Sequence, residues 1–351
     1  MIEVTARHVR LLLVLLLTGT ACSRGKCTDK PKSEPPPPPP AASGSGERQL
    51  TIDGYEALVY GPGPQASFAD TSSVEHEAIA KLIPRMLEGA RAAKAPDPRA
   101  WQQDAAAAGL QIEVWKLEGQ TYWALLEPSD RVRGAGAYIF RVAPPEPGPM
   151  ILLQAPHNFY DMGTGRIAAE MFFDPPPGAR SRALFTNTIH RYQLAPGDKK
   201  KRKHNPADIA HNPQHAFSIA TEAFANAAGG ARVIQIHGFG ARTDDDGEGE
   251  PGSVAMVVSA GDEAGSSPLT AALAPALAAE FGSDVKRFPE DVKFLGATTN
   301  AQGRLLRKID GSEFVHVEMS SDLRKRLLDS AQLRKKLAAI LFNTNPVRKG
   351  S

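Results

Sequence analysis

The chain has 351 residues, of which 42% are hydrophobic and 23% are charged, and this length can bury one large core or two small ones. The formal net charge of +2 is close to balance, so the overall charge gives no support for nucleic-acid binding. The two cysteines, Cys22 and Cys27, both lie near the N-terminus, which excludes a disulfide framework and cysteine metal ligands from the rest of the chain.

The N-terminus has the pattern of an export signal. Arg7 and Arg10 precede the apolar run LLLVLLL, and small residues follow it. The run is too short to cross a bilayer and is typical of the core of a signal peptide. We therefore predict a signal peptide over residues 1–21.

Cys22 is the candidate site of lipid attachment. It follows Gly-Thr-Ala, which resembles the cleavage site of bacterial lipoproteins, although Gly19 stands where a leucine is usual. Ser23 follows the cysteine where an aspartate would retain the protein at the inner membrane, and by analogy this favours the outer membrane of a Gram-negative cell. We predict an exported cell-envelope lipoprotein anchored at Cys22. The alternative is a secreted protein in which Cys22 and Cys27 pair.

A proline-rich linker follows over residues 22–48. Its consecutive prolines favour a stiff polyproline II segment, and the Ala-Ser-Gly residues after them favour a flexible one. We interpret residues 49–345 as a single domain, with an N-terminal extension and edge strands over 49–150 and the core of the domain over 151–345.

The N-terminal extension contains elements of both kinds. A strand is predicted over 50–61, and the apolar spacing predicts helices over 73–94 and 97–109. Three β-rich segments with the short spacing of antiparallel neighbours follow, over 110–119, 120–128 and 136–144.

Residues 150–156, MILLQAP, form an almost continuous apolar run, which is typical of a strand buried on both faces. Strands and helices alternate after it. The predicted helices cover 165–173, 213–230, 268–282 and 321–343. The predicted strands cover 181–192, 231–240, 252–261 and 313–320. This alternation predicts an α/β fold with a mixed, largely parallel sheet flanked by helices, in which a ligand crevice lies beyond the carboxyl ends of the strands.

Three polar side chains follow or end these buried strands. His157 and Asp161 come after the run at 150–156, and His237 lies near the end of the strand at 231–240. Catalytic zinc takes three protein ligands from His, Asp and Glu and keeps one position open. The three residues are therefore candidate zinc ligands. The alternative is that His157 and Asp161 belong to a turn that caps the next helix.

Glu318 is the candidate general base. In the strand FVHVEMS, alternation places Phe314, His316 and Glu318 on one face and apolar residues on the other. A carboxylate within an apolar strand is costly unless it is paired or used. We interpret Glu318 as the group that takes a proton from an activated water molecule. The alternative is a structural pair with Arg324.

Three motifs resemble, in order, those of phage and bacterial poly-γ-glutamate hydrolases. They are H-x-x-x-D-x-G-T-x-x-I-A at 157–168, IQIHG at 234–238 and VHVEMSSDLR at 315–324. The chain departs from the family pattern in having Asp161 in place of a glutamate, one residue fewer between the first two ligands, and His316 in place of a glutamine.

These hydrolases share a zinc-carboxypeptidase-like (phosphorylase/hydrolase-like) architecture with N-formylglutamate amidohydrolases and succinylglutamate desuccinylases. The resemblance implies the same architecture for this chain. It also implies that His157, Asp161 and His237 hold Zn²⁺ and that Glu318 is the general base.

The segment between the first two motifs is the candidate substrate-binding region. Carboxypeptidase-like enzymes hold a substrate carboxylate with an arginine, because the guanidinium forms two hydrogen bonds at once. Arg191 is the first candidate, ahead of Arg166 and Arg324, and the alternative is that it forms a structural ion pair. His211 is interpreted either as an oxyanion donor or as a backbone contact. The polar candidates in this segment are Asn187, His211 and Asn212.

These features predict a cell-envelope, zinc-dependent amide or peptide hydrolase that acts on a carboxylate-bearing substrate of γ-glutamyl or peptidoglycan type. The predicted partners are this substrate and the membrane, without nucleic acid. A serine hydrolase is excluded because the chain has no G-x-S-x-G pentapeptide. The alternative function is a catalytically inactive, lipid-tethered binding module with the same fold.

Overall fold

The computed structural model describes residues 47–198, 205–240 and 254–346. The signal peptide at 1–21 and nearly all of the linker lie outside these residues, so both stay predictions, as does the lipid anchor. Within the described ranges no helix is both long and apolar enough to cross a membrane. All the described residues fall in one unit, Pro38–Ser351.

Strands run through the whole of the described chain, at β1 Arg48–Gln49, β2 Gln111–Leu117, β3 Gln120–Leu126, β4 Ala137–Arg141, β5 Ile151–Ala155, β6 Ala183–Thr186, β7 Arg232–Phe239, β8 Met256–Ser259, β9 Val285–Arg287 and β10 Glu313–Ser320. They form one mixed sheet in the order β1-β2-β3-β4-β6-β5-β7-β10-β8-β9. β6, β5, β7 and β10 are mutually parallel at its centre, and β2, β3 and β4 are antiparallel neighbours, as predicted.

Helices cover both faces of this sheet, at α1 Ile52–Val59, α2 Ser73–Arg91, α3 Gln102–Ala107, α4 Thr164–Phe173, α5 Ala216–Ala227, α6 Pro268–Phe281, α7 Ala301–Leu306, α8 Ser321–Asp329 and α9 Ala331–Asn343. α1, α4, α6, α8 and α9 pack on one face, and α2, α3, α5 and α7 pack on the other. The predicted fold class, a mixed and largely parallel sheet flanked by helices, is confirmed.

The central strands contribute alternate residues to two separate cores. Leu153 and Val317 pack into the core beneath α4 and α8, whereas Leu152 and Phe314 pack into the core beneath α5. Every residue of β5 is buried, as its continuous apolar run predicts. Because both faces of these strands are mainly apolar, their buried polar side chains are few.

The strand predicted at 50–61 is wrong, because most of this segment forms α1. Thr51 caps the helix: its Oγ1 accepts a hydrogen bond from Gly54 N at 3.0 Å. Tyr55 and Val59, four residues apart, face the core together. The β-rich composition of the segment hid this helical spacing.

The helix predicted at 321–343 is two helices, α8 and α9, which meet at Ser330. This residue has an extended conformation, with φ −132° and ψ 103°, and its Oγ accepts a hydrogen bond from Leu333 N at 3.2 Å. Ser330 therefore caps α9. The elements that the sequence did not predict, β1, β9 and α7, have only 2, 3 and 6 residues, which is too short for a periodic signal.

The start of α5 makes stability depend on pH. His215 caps this helix by accepting a hydrogen bond at Nδ1 from Phe217 N, 3.1 Å away. Burial lowers the pKa of His215 to about 4, below the usual value of 6.5. As pH falls from 6.5 to 4, His215 becomes protonated in the unfolded chain before it does so in the folded one. Its contribution to the free energy of unfolding is therefore present above pH 6.5 and is lost towards pH 4.

We expect His215→Asn, which keeps a capping side chain, to reduce the loss of unfolding free energy between pH 7 and pH 5 by about 1–2 kcal/mol. Urea denaturation at both pH values measures this difference. An unchanged pH dependence in the variant would contradict the assignment.

Candidate metal centre

Three adjacent parallel strands bring the candidate residues to one edge of the sheet. His157 lies two residues beyond β5, and His237 and Glu318 lie near the carboxyl ends of β7 and β10. Glu318 is the register partner of His237. The side chains of His157, Asp161 and His237 are all buried. The edge that the sequence predicted as a ligand crevice therefore carries the predicted ligands.

The turn after β5 caps a helix and presents Asp161 at the same time. Asn158 provides the cap, because its Oδ1 accepts a hydrogen bond from Gly165 N at 2.9 Å, near the start of α4. Thr164 Oγ1 donates to the main-chain oxygen of Asp161 at 2.7 Å. The capping interpretation thus applies to Asn158, and the Asp161 carboxylate faces two imidazole rings.

His157 and His237 direct the same ring atom towards Asp161. Nδ1 of His237 lies 3.1 Å from Asp161 Oδ2, and Nδ1 of His157 lies 3.7 Å from the same oxygen. His157 Nε2 lies 2.8 Å from Asp208 Oδ1, and His237 Nε2 lies 3.0 Å from Gln235 Oε1. Because these two oxygens accept hydrogen bonds, we infer that each Nε2 carries a proton and each Nδ1 presents a lone pair.

A buried amide network fixes the orientation of Gln235. Its Nε2 donates to Oε1 of Gln154 at 2.8 Å and to Oε1 of Gln302 at 3.0 Å. Its Oε1 accepts from Asn300 Nδ2 at 2.6 Å. Exchanging the two amide atoms of Gln235 would break all of these bonds, so Oε1 must face His237. The tautomer of His237 is therefore set by the network.

The geometry of the three ligands fits a metal ion. In a tetrahedral zinc site with bonds of about 2.0–2.2 Å, ligand atoms lie about 3.4 Å apart. The separations of 3.1 and 3.7 Å from Asp161 Oδ2 lie on either side of this value. Ligand atoms of His157, Asp161 and His237 all lie within 4.8 Å of one another. Two lone pairs and a carboxylate that face one point require a cation or additional protons between them.

The charge states of the cluster also favour a cation. Burial would raise the pKa of Asp161, but the neighbouring imidazole rings of His157 and His237 hold it well below its usual range, so the carboxylate stays ionised. Burial lowers the pKa of His237 to about 4. Burial acts in the same direction on His157, but the neighbouring carboxylates of Asp161 and Asp208 outweigh it and raise its pKa. A proton therefore competes with a metal ion for His157 Nδ1.

Arg191 lies directly beside the candidate ligands. Its guanidinium forms an ion pair with Asp208, and its Nη1 lies 3.2 Å from His157 Nδ1. The guanidinium carbon lies 5.3 Å and 5.2 Å from the ring centroids of Tyr160 and Tyr192, which hold it by cation–π contacts. The ion pair considered as an alternative for Arg191 is thus present, at a position that also borders the ligands.

Glu318 lies next to His237 on the face of β10 that the alternation predicted. Val315, Val317 and Met319 of β10 pack into the core beneath α4 and α8, and His316 and Glu318 face the site. His316 Nε2 lies 3.7 Å from Glu318 Oε1, and the rings of His316 and His237 are 4.5 Å apart. Among the described residues, His316 Nδ1 has no hydrogen-bond partner. A carboxylate oxygen of Glu318 and a ring nitrogen of His237 lie within 4.8 Å of each other, which is the proximity that a general base requires.

Most of the other candidates for substrate binding stabilise loops. Asn187 and Asn212 each donate through Nδ2 to a main-chain oxygen, at 2.8 and 2.9 Å. Arg166 forms ion pairs with carboxylates of α1 and α4. His211 differs, because its Nδ1 lies 3.1 Å from Asp208 Oδ1 and its side chain borders the cluster. These contacts argue against a direct role in substrate binding for Asn187, Asn212 and Arg166.

Arg324 connects the ligand loop to two strands. It donates to the main-chain oxygens of Met162 at 3.0 Å and Phe239 at 3.1 Å, and also to that of Met319. Gly238 makes room for it, because a Cβ atom there would lie 2.1 Å from Arg324 Nη1. These hydrogen bonds to the main chain indicate a structural role for Arg324, not a role in substrate binding.

The sequence placed Asp208 in the candidate substrate-binding segment, but it did not identify Asp208 or Gln235 as the residues that orient the histidines. Gln235 lies two residues before His237, so strand alternation already places both on one face of β7. Asp208 precedes His211 by three residues in a turn, and no periodic pattern marks it. Only the fold brings Asp208 beside His157.

Solved structures similar to this chain include several enzymes. N-formylglutamate amidohydrolase from Ralstonia eutropha is 14% identical, with a TM-score of 0.34 over 56% of this chain and 95% of that one. Succinylglutamate desuccinalase from Vibrio parahaemolyticus is 9% identical, with a TM-score of 0.33 over 70% and 82%. A Zn-dependent exopeptidase from Parabacteroides distasonis is 10% identical, with a TM-score of 0.33 over 85% and 100%.

No protein-family model matches the chain, and no curated protein matches it.

We expect Gly238→Ala to lower the free energy of unfolding by about 1–3 kcal/mol, because the added methyl group displaces a guanidinium held by three main-chain oxygens. Gly240→Ala is the matched control, since no atom of the described residues lies within 4 Å of a Cβ atom at that position. Urea denaturation of both variants measures the difference. Equal stabilities would contradict the role given to Arg324.

Proposed function

We propose that this protein is a zinc-dependent hydrolase of amide or peptide bonds. One observation carries the proposal: the buried side chains of His157, Asp161 and His237 face one point, with both imidazole tautomers set by partners on the far side of each ring. Partners of this kind are typical of metal-binding histidines, where they orient the ring and make it a better ligand.

The ligand set favours zinc over other ions. Two imidazole nitrogens and one carboxylate oxygen, with no thiolate, match the ligand chemistry of catalytic zinc. Magnesium and calcium prefer sites made of oxygen ligands alone. The candidate ligands are His157, Asp161 and His237, which leaves a fourth position for water or substrate.

Glu318 supplies the proton transfer in this proposal. A bound zinc ion would polarise the scissile carbonyl and lower the pKa of water at the open position. The Glu318 carboxylate, next to His237, would accept a proton from the attacking water and deliver it to the leaving nitrogen. A proton transfer of this kind contributes about 10²–10⁴-fold to the rate of such reactions.

Arg191 is the residue that we propose to hold a substrate carboxylate. It lies beside His157, and Tyr160 and Tyr192 restrict its guanidinium to one orientation. Its ion pair with Asp208 leaves other N–H groups for a ligand. With export to the cell envelope through Cys22, also a proposal, γ-glutamyl or peptidoglycan-type amides are the substrates to test first.

The alternative is a metal-free binding module, and one contact favours it. Arg191 Nη1 lies 3.2 Å from His157 Nδ1, so the guanidinium itself provides positive charge where a metal ion would bind. In the hydrolase, Arg191 must break its contact with His157 Nδ1 and keep its ion pair with Asp208. Metal content distinguishes the two functions.

We expect the purified protein to contain about one zinc ion per chain, and His237→Ala to lose it because a site needs all three ligands. His76→Ala, a histidine on α2 away from the cluster, should keep the metal. Elemental mass spectrometry measures both. Absence of zinc after reconstitution would refute the hydrolase and leave the binding module.

We expect Glu318→Gln to keep zinc and to lower kcat by about a hundredfold or more, because the amide cannot accept the proton. Glu88→Gln, an exposed glutamate of α2, serves as the control. Assays with γ-glutamyl and peptidoglycan-type amides measure turnover. A Glu318→Gln variant with normal kcat would remove Glu318 as the base but leave the zinc site intact.

A further inference from the structure

A cavity lies at the opposite ends of the central strands from the candidate metal centre. It has a volume of about 320 Å³ and opens beside the carboxyl end of β4 and the amino ends of β5 and β6. Its polar lining includes Arg141, Arg180, Ser181 and Arg182, and we call it the arginine cavity. The candidate metal centre lies at the carboxyl end of β5, so the two sites are separate.

The arginine cavity contains more positive than negative charge. Its lining has three arginines and one acidic residue, Glu146, which leaves two positive charges. Glu146 pairs with Arg180 at 3.0 Å, and both side chains are more than two-fifths exposed. Arg141 and Arg182, in contrast, are buried and have no ion pair among the described residues.

Neutral oxygens, and no carboxylate, accept the hydrogen bonds that these two buried guanidinium groups make in the described part of the chain. Arg182 donates to the main-chain oxygens of Ala143 at 2.7 Å and Pro144 at 3.0 Å. Arg141 donates to the main-chain oxygen of Ser181 at 3.3 Å, to the Tyr122 hydroxyl at 3.0 Å and to the main-chain oxygen of Phe172. Carbonyl dipoles position a guanidinium but do not neutralise it. Burial lowers the pKa of Arg141 and of Arg182, which shows the cost of holding these charges here.

Ser181 provides an independent indication of a ligand. Its side chain is 1% exposed and lies between Arg180 and Arg182 in the sequence. Its hydroxyl has no hydrogen-bond partner within the described part of the chain. Buried hydroxyl groups are rarely left without a partner, so a group that enters the cavity is expected to complete it.

We propose that the arginine cavity binds a small organic anion through its carboxylate or phosphate oxygens. The oxygens would accept charge-assisted hydrogen bonds from the guanidinium groups and a bond from the Ser181 hydroxyl. Pro147, Pro149 and Phe342 line the same cavity and would contact the carbon skeleton. Glu146 would weaken binding of the anion, because it forms an ion pair with Arg180 and its carboxylate repels negative charge.

The test is calorimetric titration of the whole protein with inorganic phosphate and, separately, with succinate. Sodium chloride at equal ionic strength is the reference, because exposed charges respond to salt in general. We expect saturable binding of at least one of the two anions. Phosphate alone would identify a phosphate-bearing ligand, and succinate alone a carboxylate-bearing one.

Variants locate the binding. Arg180→Ala should weaken affinity about fivefold or more, because it removes a charge-assisted donor. Ser181→Ala should weaken it by a smaller factor, and Glu146→Gln should strengthen it. Arg287→Ala is the matched control, since Arg287 forms a similarly exposed pair with Asp291 elsewhere on the surface. Thermal unfolding without anion checks that each variant is folded.

Two results would overturn the proposal: no binding of either anion beyond the chloride reference, or binding that Arg180→Ala and Glu146→Gln both leave unchanged. The titrations are repeated with His237→Ala, so the outcome does not depend on zinc or on hydrolase activity.

Discussion

The parallel pairing of β5, β7 and β10 is the constraint on which the candidate centre depends. Their carboxyl ends meet at one edge, so residues distant in sequence, His157, His237 and Glu318, become neighbours. A slip of one residue in β10 would turn Glu318 into the apolar core and bring an apolar side chain beside His237. The apolar residues that fix the register therefore also fix the distance between the proposed base and the ligands.

A second layer of polar residues follows from this arrangement. Imidazole rings at a buried strand end need partners for both nitrogens, since an unsatisfied buried group costs about 1–3 kcal/mol. Asp208 accepts a hydrogen bond from Nε2 of His157, and Gln235 accepts one from Nε2 of His237. Gln235 depends in turn on Gln154, Gln302 and Asn300, which reach it from other elements of the fold. The orientation of one candidate ligand is thus set by residues from β5 and from the start of α7.

The two ends of the central parallel strands have opposite electrostatic character. At the carboxyl edge, lone pairs and a carboxylate face one point and favour a cation. At the amino edge, guanidinium groups outnumber carboxylates and favour an anion. The net charge of +2 over the whole chain reveals neither site, because positive and negative charges are nearly equal in number over the full sequence. Charge therefore informs on function here only after the fold has distributed it.

The sequence by itself determined the central strands, most helices and the residues proposed as ligands and base, because buried apolar runs are periodic and His157, His237 and Glu318 stand at their ends. Short elements such as β9 and the helix α1 were decided by capping and tertiary packing, which leave little trace in local composition. The partners of the histidines were also decided only in three dimensions. Asp208 lies 51 residues from His157 in sequence, and only the folded sheet brings their side chains to 2.8 Å.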